Sequence, residues 1–236
     1  VSGTLIEPEL EVVWGTHASR VIADEGRVLP IPDAVTDDEA SLSTVWAVGM
    51  QGPTVCGLTG DDTVLVVGLG LIGLSFAQVA ADIGAEVIGL DLSEERAGMM
   101  REFGMTAFTD RTDVEAWMTE REMNGFPVAV EATGSAAVVD IPLEFVAPGG
   151  RLVWQGWYPG RVSFDYNTAH GKMVVMHFPC GSGNFQGALL DMIAEGRFDA
   201  SALISDRFAV ADCQEAYNLS VLSAGESLGV VLEWPQ

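Results

Sequence analysis

Three glycines stand at the spacing Gly68-Leu69-Gly70-Leu71-Ile72-Gly73, directly after the β-branched run Thr63–Val67 and before the small, apolar stretch Ile72–Ile83. A glycine-rich turn between a strand and a helix can hold a pyrophosphate. The first glycine permits the tight turn, the second lets the backbone approach the ligand, and the third lets helix and strand pack closely. The helix N-terminus then offers free N–H groups and a favourable dipole to negative charge. Asp91 follows Gly68 by 23 residues, at the end of a second apolar run, Glu86–Leu90. A carboxylate there accepts hydrogen bonds from ribose hydroxyls and repels a 2′-phosphate, so the pair of features predicts NAD rather than NADP. Leu92 lies beside that carboxylate, and Arg96 is near enough to assist either a ribose or a phosphate.

These residues need a sheet to position them. From Asp62 onward, strand and helix patterns alternate. Strands are expected at Thr63–Val67, Glu86–Leu90, Pro127–Glu131, Arg151–Gln155 and Met173–Phe178. Between them, helices are expected at Ile72–Ile83, after the N-cap Ser93, at Asp113–Met123 and at Ala136–Phe145. Such alternation means an α/β fold with a doubly wound parallel sheet, the Rossmann arrangement. Upstream, residues 1–35 read as short strands and turns, and Asp37-Asp38-Glu39 opens a helix through Val48. Downstream, helices are expected at Phe185–Glu195 and Asp212–Leu222, with strands near Arg207–Val210 and at Leu228–Glu233.

Composition narrows the function. The 236 residues carry 34 acidic against 11 basic side chains, a formal charge of −23, and Lys172 is the sole lysine. An apolar core wrapped in carboxylates predicts work in concentrated salt, where self-repulsion is screened within about 3 Å at molar ionic strength. No basic stripe exists to meet nucleic-acid phosphates or anionic membranes. The apolar stretch Val64–Ile83 tempts a transmembrane reading, but regular glycines interrupt it and no basic residues flank it. The N-terminus lacks the pattern of a signal peptide, so a cytoplasmic location is expected. Cys56, Cys180 and Cys213 are few and widely spaced, which argues against disulfides and against a structural zinc within this chain.

The chain resembles the medium-chain dehydrogenase/reductase superfamily, the alcohol and polyol dehydrogenases and their relatives. The matching stretches are Gly15–Asp33, Asp61–Gly73, Gly84–Arg96, Glu131–Ser135, Ala147–Gly156 and Asp206–Leu219, in the family's order. The resemblance implies an NAD(H)-dependent oxidoreductase that interconverts an alcohol and a carbonyl. Residues 1–44 would be the remnant of a β-rich, GroES-like catalytic domain, 45–183 the NAD-binding domain, and 184–236 a return to the catalytic domain. It implies that Thr133 lines the cofactor cleft and that backbone near Gly156 and Trp157 meets the nicotinamide. A small-molecule substrate and a homo-oligomer are implied as well.

Three departures qualify that likeness. The chain enters the GroES-like part near its end, whereas the earlier part supplies the first catalytic zinc ligands and the proton relay in the family. The third zinc ligand, counted back from Gly68, falls at Ser43 or Thr44, neither a plausible ligand, with Glu39 one helical turn away. A zinc-independent branch is therefore expected, and phrases such as Val162–Lys172 are loosely similar to the hydroxyethyl bacteriochlorophyllide dehydrogenase-like branch. Finally, a Lys or Arg that contacts the pyrophosphate in many relatives is replaced by Gly229.

Without zinc, a side chain must manage the alcohol proton. Tyr158, after Gly156-Trp157 at a strand end, and His170, in a polar loop with Lys172, are the candidates by type. His17 could face a cleft or cap a turn, while His177 reads as a buried strand residue and Cys180 as a small buried one. Trp46, Met50, Trp154 and Trp157 could wall a pocket, although such residues usually form core. Two rival readings stay open. A zinc-dependent alcohol or polyol dehydrogenase lacking its metal-binding part would show upstream metal motifs. A module that binds NAD(H) without turnover would bind cofactor yet oxidise no alcohol.

Overall fold

The structure, a computed structural model, describes residues 17–20, 25–222 and 227–235. The expected strands and turns before residue 17 lie outside that range. Among the described residues up to 35, the chain forms a single helical turn at Glu25–Arg27 and no strand.

Six strands build the main sheet: β1 (Thr63–Val67), β2 (Glu86–Leu90), β3 (Thr106–Phe108), β4 (Phe126–Glu131), β5 (Val146–Trp154) and β6 (Val175–His177). All pair in parallel in the order β3-β2-β1-β4-β5-β6. The order reverses between β1 and β4, which is where a doubly wound sheet opens a crevice at the carboxyl ends of its strands. The helices of this unit are α1 (Asp37–Cys56), α2 (Leu71–Ile83), α3 (Glu94–Glu102), α4 (Arg111–Glu120), α5 (Asp140–Phe145) and α6 (Tyr166–Lys172). Both faces of the sheet are covered. Val64 and Val66 pack toward α1 and α2 with Trp46, Leu74 and Phe76, while Leu65 and Val67 pack on the other side with Val114, Trp117 and Phe145. A strand buried on both faces reads as an unbroken apolar run, which is why TVLVV shows no alternation. The tempting stretch Val64–Ile83 thus divides into a strand, a turn and a helix. No helix among the described residues is long and apolar enough to cross a membrane.

The remaining chain supplies α7 (Gln186–Ala194), β7 (Ile204–Ala209), α8 (Cys213–Leu222) and β8 (Gly229–Glu233). β7 and β8 pair in parallel as a separate two-stranded sheet. Gly229 has a steric reason: a Cβ there would lie 2.5 Å from the Leu203 carbonyl oxygen. Leu189, Leu190 and Ile193 of α7 join the core under α1.

Several boundaries differ from expectation, each through packing. α1 runs through Pro53 to Cys56 rather than ending at Val48. Gly49 lets it press on α2, since a Cβ there would sit 2.6 Å from Ser75 Cβ, and this contact outweighs the low helix propensity of its second half. β3 was not expected at all. α5 is six residues instead of ten, and β5 begins at Val146, taking in Pro148-Gly149-Gly150 through a register shift against β4. The supposed polar loop holding His170 and Lys172 is helix α6, N-capped by Asp165 and closed by Met173 in the left-handed region at φ 54°. That helix shortens the expected strand Met173–Phe178 to Val175–His177.

One polar clamp joins the opposite, amino ends of the strands. Arg151 of β5 donates to the Cys56 and Gly57 carbonyl oxygens, both at 2.9 Å, and pairs with Asp62. The other Asp62 oxygen accepts from Thr59 N at 2.9 Å. This group closes the end of α1, whose last-turn carbonyls have no helical donors. Removing Arg151 strands a largely buried carboxylate, so Arg151→Met is expected to destabilise the chain by about 2 kcal/mol. Urea unfolding at low and high KCl checks this, and the loss should persist in salt because a partly buried pair is screened little.

Candidate functional site

The site is built where β1, β2, β4 and β5 end. Gly68 leaves β1 at φ 93°, a left-handed conformation open to glycine, and its N–H bonds the Leu90 carbonyl oxygen at 2.9 Å. Gly70 is the N-cap of α2 and contributes no side-chain bond, so the first-turn amides face outward over the turn. At Gly73 a Cβ would overlap the Gly68 carbonyl oxygen, and this absent methyl is what lets α2 start directly on the turn. Leu69 is fully buried; it contributes to the site through its backbone, giving its N–H to Asp91 Oδ2 at 2.7 Å. The other Asp91 oxygen accepts from Ser93 N at 2.8 Å. Two backbone donors therefore hold the carboxylate in one orientation while each oxygen keeps a lone pair for a ligand.

The turn and Asp91 border a groove of about 460 Å³. Val67, Leu90, Ala132, Val138 and Ile141 give it apolar walls, and Gly68, Gly70, Asp91, Arg96 and Thr133 converge on it. Arg96 Nη1 lies 4.0 Å from the point where a side chain at Gly70 would begin, so its guanidinium overhangs the turn. Leu92 stands at the rim, 92% exposed. Leu71 and Ile72 are half-buried in the first turn of α2.

Behind the groove wall at Thr133, the loops after β4 and β5 meet around Glu131. This residue is fully buried. Its Oε1 accepts from Thr133 N at 2.8 Å and from the Thr133 hydroxyl, and its Oε2 accepts from the Tyr158 hydroxyl. The Glu131 carbonyl oxygen accepts from Gln155 N and Gly156 N at 2.8 and 2.9 Å. Gly134 and Gly156 permit this approach: a Cβ at Gly134 would lie 2.9 Å from the Trp157 carbonyl oxygen, and one at Gly156 would lie 2.8 Å from Gly134 N. Trp157 projects from the junction, 84% exposed.

The two catalytic candidates are not brought together. Tyr158 is half-buried against Trp154, and burial foremost, then its bond to the Glu131 carboxylate, pushes its phenol well above the usual tyrosine range. His170 is exposed on α6, stacked on Tyr166, and none of the three histidines lines the groove. Lys172, its supposed partner, donates to the carbonyl oxygens of Leu143, Glu144 and Val146 at 3.1, 2.5 and 2.8 Å, closing the end of α5. Burial lowers the pKa of its ammonium. His17 Nδ1 lies 2.5 Å from the Tyr217 hydroxyl, and His177 is half-buried on the edge strand β6. Of the aromatic and methionine candidates for a pocket wall, Trp46, Met50 and Trp154 are core. Cys180 is exposed rather than buried, because its glycine-flanked bend lies beyond the sheet edge.

Residues that sequence reasoning missed include Glu131 and Arg111. Glu131 had a visible signal, a carboxylate ending the otherwise apolar strand PVAVE. Arg111 lines the groove from the start of α4, ion-paired with Glu144 at 2.5 Å, and only the folded chain brings it there.

Of the positions counted for a third zinc ligand, Ser43 and Glu39 are engaged otherwise. Ser43 is 1% exposed and fully engaged, donating to the Ala40 carbonyl oxygen at 2.6 Å and accepting from Gln186 Nε2 at 2.9 Å. Glu39 is held in a capping box with Thr36. Among the described residues no three His, Cys, Asp or Glu side chains cluster as a metal set.

A family profile described as zinc-binding dehydrogenase matches residues 72–195, more than half of the chain. The chain belongs to that family. Among curated relatives, an L-threonine 3-dehydrogenase of Anaeromyxobacter dehalogenans is 30% identical over 226 residues, covering 93% of this chain and 64% of its own length. One of Vibrio cholerae is also 30% identical, covering 93% and 65%. The chain thus spans just under two thirds of the relatives it matches. Among solved structures, an oxidoreductase/dehydrogenase of unknown specificity from Escherichia coli superposes with a TM-score of 0.79 at 23% identity, covering 87% of this chain and 60% of that one. An alcohol dehydrogenase from Escherichia coli CFT073 complexed with NADH superposes with a TM-score of 0.76 at 22% identity, covering 86% and 61%. Both support the doubly wound α/β fold.

Gly73 gives a test of the turn geometry. Alanine inside a helix ordinarily gains about 1 kcal/mol over glycine. Here the added methyl would meet the Gly68 carbonyl, so Gly73→Ala is expected to lose about 2 kcal/mol net through overpacking. Thermal unfolding followed by circular dichroism should show a lower midpoint; an unchanged or raised one would refute the close helix–strand contact.

Proposed function

We propose that this chain is the nucleotide-binding part, or more, of an NAD(H)-dependent oxidoreductase of the medium-chain type. It interconverts an alcohol and a carbonyl on a small-molecule substrate, without a catalytic zinc held by the residues described above. The observation that carries the reading is the Asp91 carboxylate, oriented by Leu69 N and Ser93 N at the rim of a groove that opens over the glycine turn. The groove suits a dinucleotide because a side chain at Gly68, Gly70 or Gly73 would fill the turn or shield its amides. A bound nicotinamide supplies the hydride chemistry.

The chain's own residues do the holding. Backbone from Gly68 to Gly73, with Leu71 and Ile72 in the first turn of α2, receives the pyrophosphate. Asp91 accepts from the adenosine ribose and disfavours a 2′-phosphate, with Leu92 and Arg96 beside it. Thr133, Gly156 and Trp157 border the nicotinamide end. Solved relatives carry either cofactor form: besides the NADH complex, a protein assigned to the zinc-binding dehydrogenases from Sinorhizobium meliloti 1021 is bound to NADP. The preference for NAD here therefore rests on Asp91 itself.

Residues 1–44 and 184–236 belong to a GroES-like catalytic unit in this reading; the separate β7–β8 sheet supports it for the C-terminal part, while α7 packs in the core under α1. The acidic surface fits a cytoplasm with concentrated salt, and a homo-oligomer is the expected assembly. Titration of the purified protein with NADH and NADPH in multimolar KCl, read by tryptophan quenching, tests the proposal. NADH should bind more tightly. Asp91→Gly should weaken NADH about tenfold and narrow the gap to NADPH. Elemental analysis should give sub-stoichiometric zinc; stoichiometric zinc would return the reading to a zinc-dependent dehydrogenase. Folded protein that binds neither nucleotide would defeat the proposal.

A further inference from the structure

We propose that Glu131 is a positioning residue for the cofactor. Its buried carboxylate holds Thr133 and Tyr158 as donors and so fixes the Gly68 turn relative to the Gly156–Trp157 backbone. The inference rests on the functional reading above and adds a device that links the groove wall at Thr133 to the loop bearing Gly156 and Trp157.

Three donors converge on the two oxygens of Glu131: the Thr133 N–H, the Thr133 hydroxyl and the Tyr158 hydroxyl. An anion is the acceptor-only group that can satisfy all three at once. Engagement of Thr133 has a directional consequence. Its hydroxyl donates to Glu131 and accepts from Ser135 N at 3.0 Å, so its proton is committed away from the groove. The methyl group is thereby turned to the glycine turn, where a Cβ on Gly68 would lie 2.7 Å from Thr133 Cγ2. One oxygen thus sets the wall beside the pyrophosphate turn. The other holds the loop bearing Trp157, through Tyr158, which itself packs on Trp154. Between the two loops a Cβ on Gly156 would overlap Glu131 Oε2, so the carboxylate fills the gap that the glycine leaves. Glu131 is fully buried and does not line the groove, so it acts on the groove through Thr133.

Charge can be separated from shape. In Glu131→Gln the Thr133 N–H cannot reverse, so the amide oxygen must stay with it and the amide nitrogen must face Tyr158. The tyrosine hydroxyl then turns and accepts. The anion's upward push on the phenol also vanishes, although the part due to burial remains. The chain has three tyrosines, at 158, 166 and 217, so phenolate absorbance can resolve one of them.

The experiment compares wild type, Glu131→Gln and Tyr158→Phe in the full chain by two readouts, alkaline phenolate titration and NADH titration. In wild type one tyrosine should resist ionisation, and Tyr158→Phe should remove that one. In Glu131→Gln it should ionise at lower pH, while NADH binding weakens about tenfold. Tyr158→Phe keeps the charge and the Thr133 bonds, so it should weaken NADH by about threefold. This variant decides the matter should the glutamine variant fail to fold. Unchanged NADH binding in a folded variant overturns the proposal while leaving the oxidoreductase reading intact. Wild type that binds no nicotinamide nucleotide overturns both.

Discussion

Everything at the site depends on how closely α2 can begin on the end of β1. The limiting contact is Gly73 against the Gly68 carbonyl oxygen, where no methyl group fits. With the helix seated there, its first-turn amides project over the crevice between β1 and β4, the point at which the strand order reverses. The same seating places Leu69 N against Asp91, so the second strand's terminal carboxylate is oriented by the turn itself. The proposed binding surface is therefore a by-product of backbone packing, and the side chains that shape it are few. A larger residue at Gly73 would displace the amides and the Asp91 anchor together, since both hang on one turn.

Five of the cations of this acidic chain join separate elements. Arg151 links β5 to the end of α1 and Asp62. Arg197 joins Asp82 at the end of α2, Arg207 ties β7 to Asp38 of α1, and Arg111 ties α4 to Glu144 of α5. Lys172 closes α5 from α6. Exposed pairs contribute little individually, more so in salt. The Arg151 and Lys172 contacts differ because they satisfy helix-end carbonyls that would otherwise lie buried without donors. With 34 carboxylates on the chain, most acids can only face solvent, and a concentrated electrolyte is the medium in which that arrangement is least repulsive.

What could be read from the sequence follows the range of the interactions involved. The glycine turn, the strands flanking it and Asp91 are encoded within one βαβ stretch, so residue types at fixed spacing were enough. Strand burial was equally legible, because β1, β2 and β4 are apolar without alternation. The failures share one origin, contacts between residues far apart in sequence. α1 continues past Val48 because Gly49 packs on Ser75, and Gly229 is small because of Leu203. α6 is the exception, a local one: its C-cap Met173 opens an apolar run that reads as a strand, and its N-cap Asp165 carries only an ordinary turn signal. In the groove, Arg111 carried no local mark. Glu131 did carry one, yet its three donors come from loops that meet only in the folded chain.

The position of Tyr158 constrains the chemistry in a way its sequence context did not. A tyrosine that manages an alcohol proton must offer its hydroxyl to the substrate and ionise, or nearly so, at the working pH. Here the hydroxyl donates to a buried anion, and both burial and that anion hold the proton on the phenol. Ionising it would place two negative charges in contact inside the junction of the β4 and β5 loops. The tyrosine is therefore suited to shaping the junction of the β4 and β5 loops and unsuited to acting as a base. His170 is turned to solvent on α6, stacked on Tyr166, and Lys172 is occupied by three carbonyls. Within the described residues, the proposed dinucleotide surface is built mainly from backbone and from Asp91. None of the three side chains, Tyr158, His170 or Lys172, is placed to move a substrate proton in the proposed reaction.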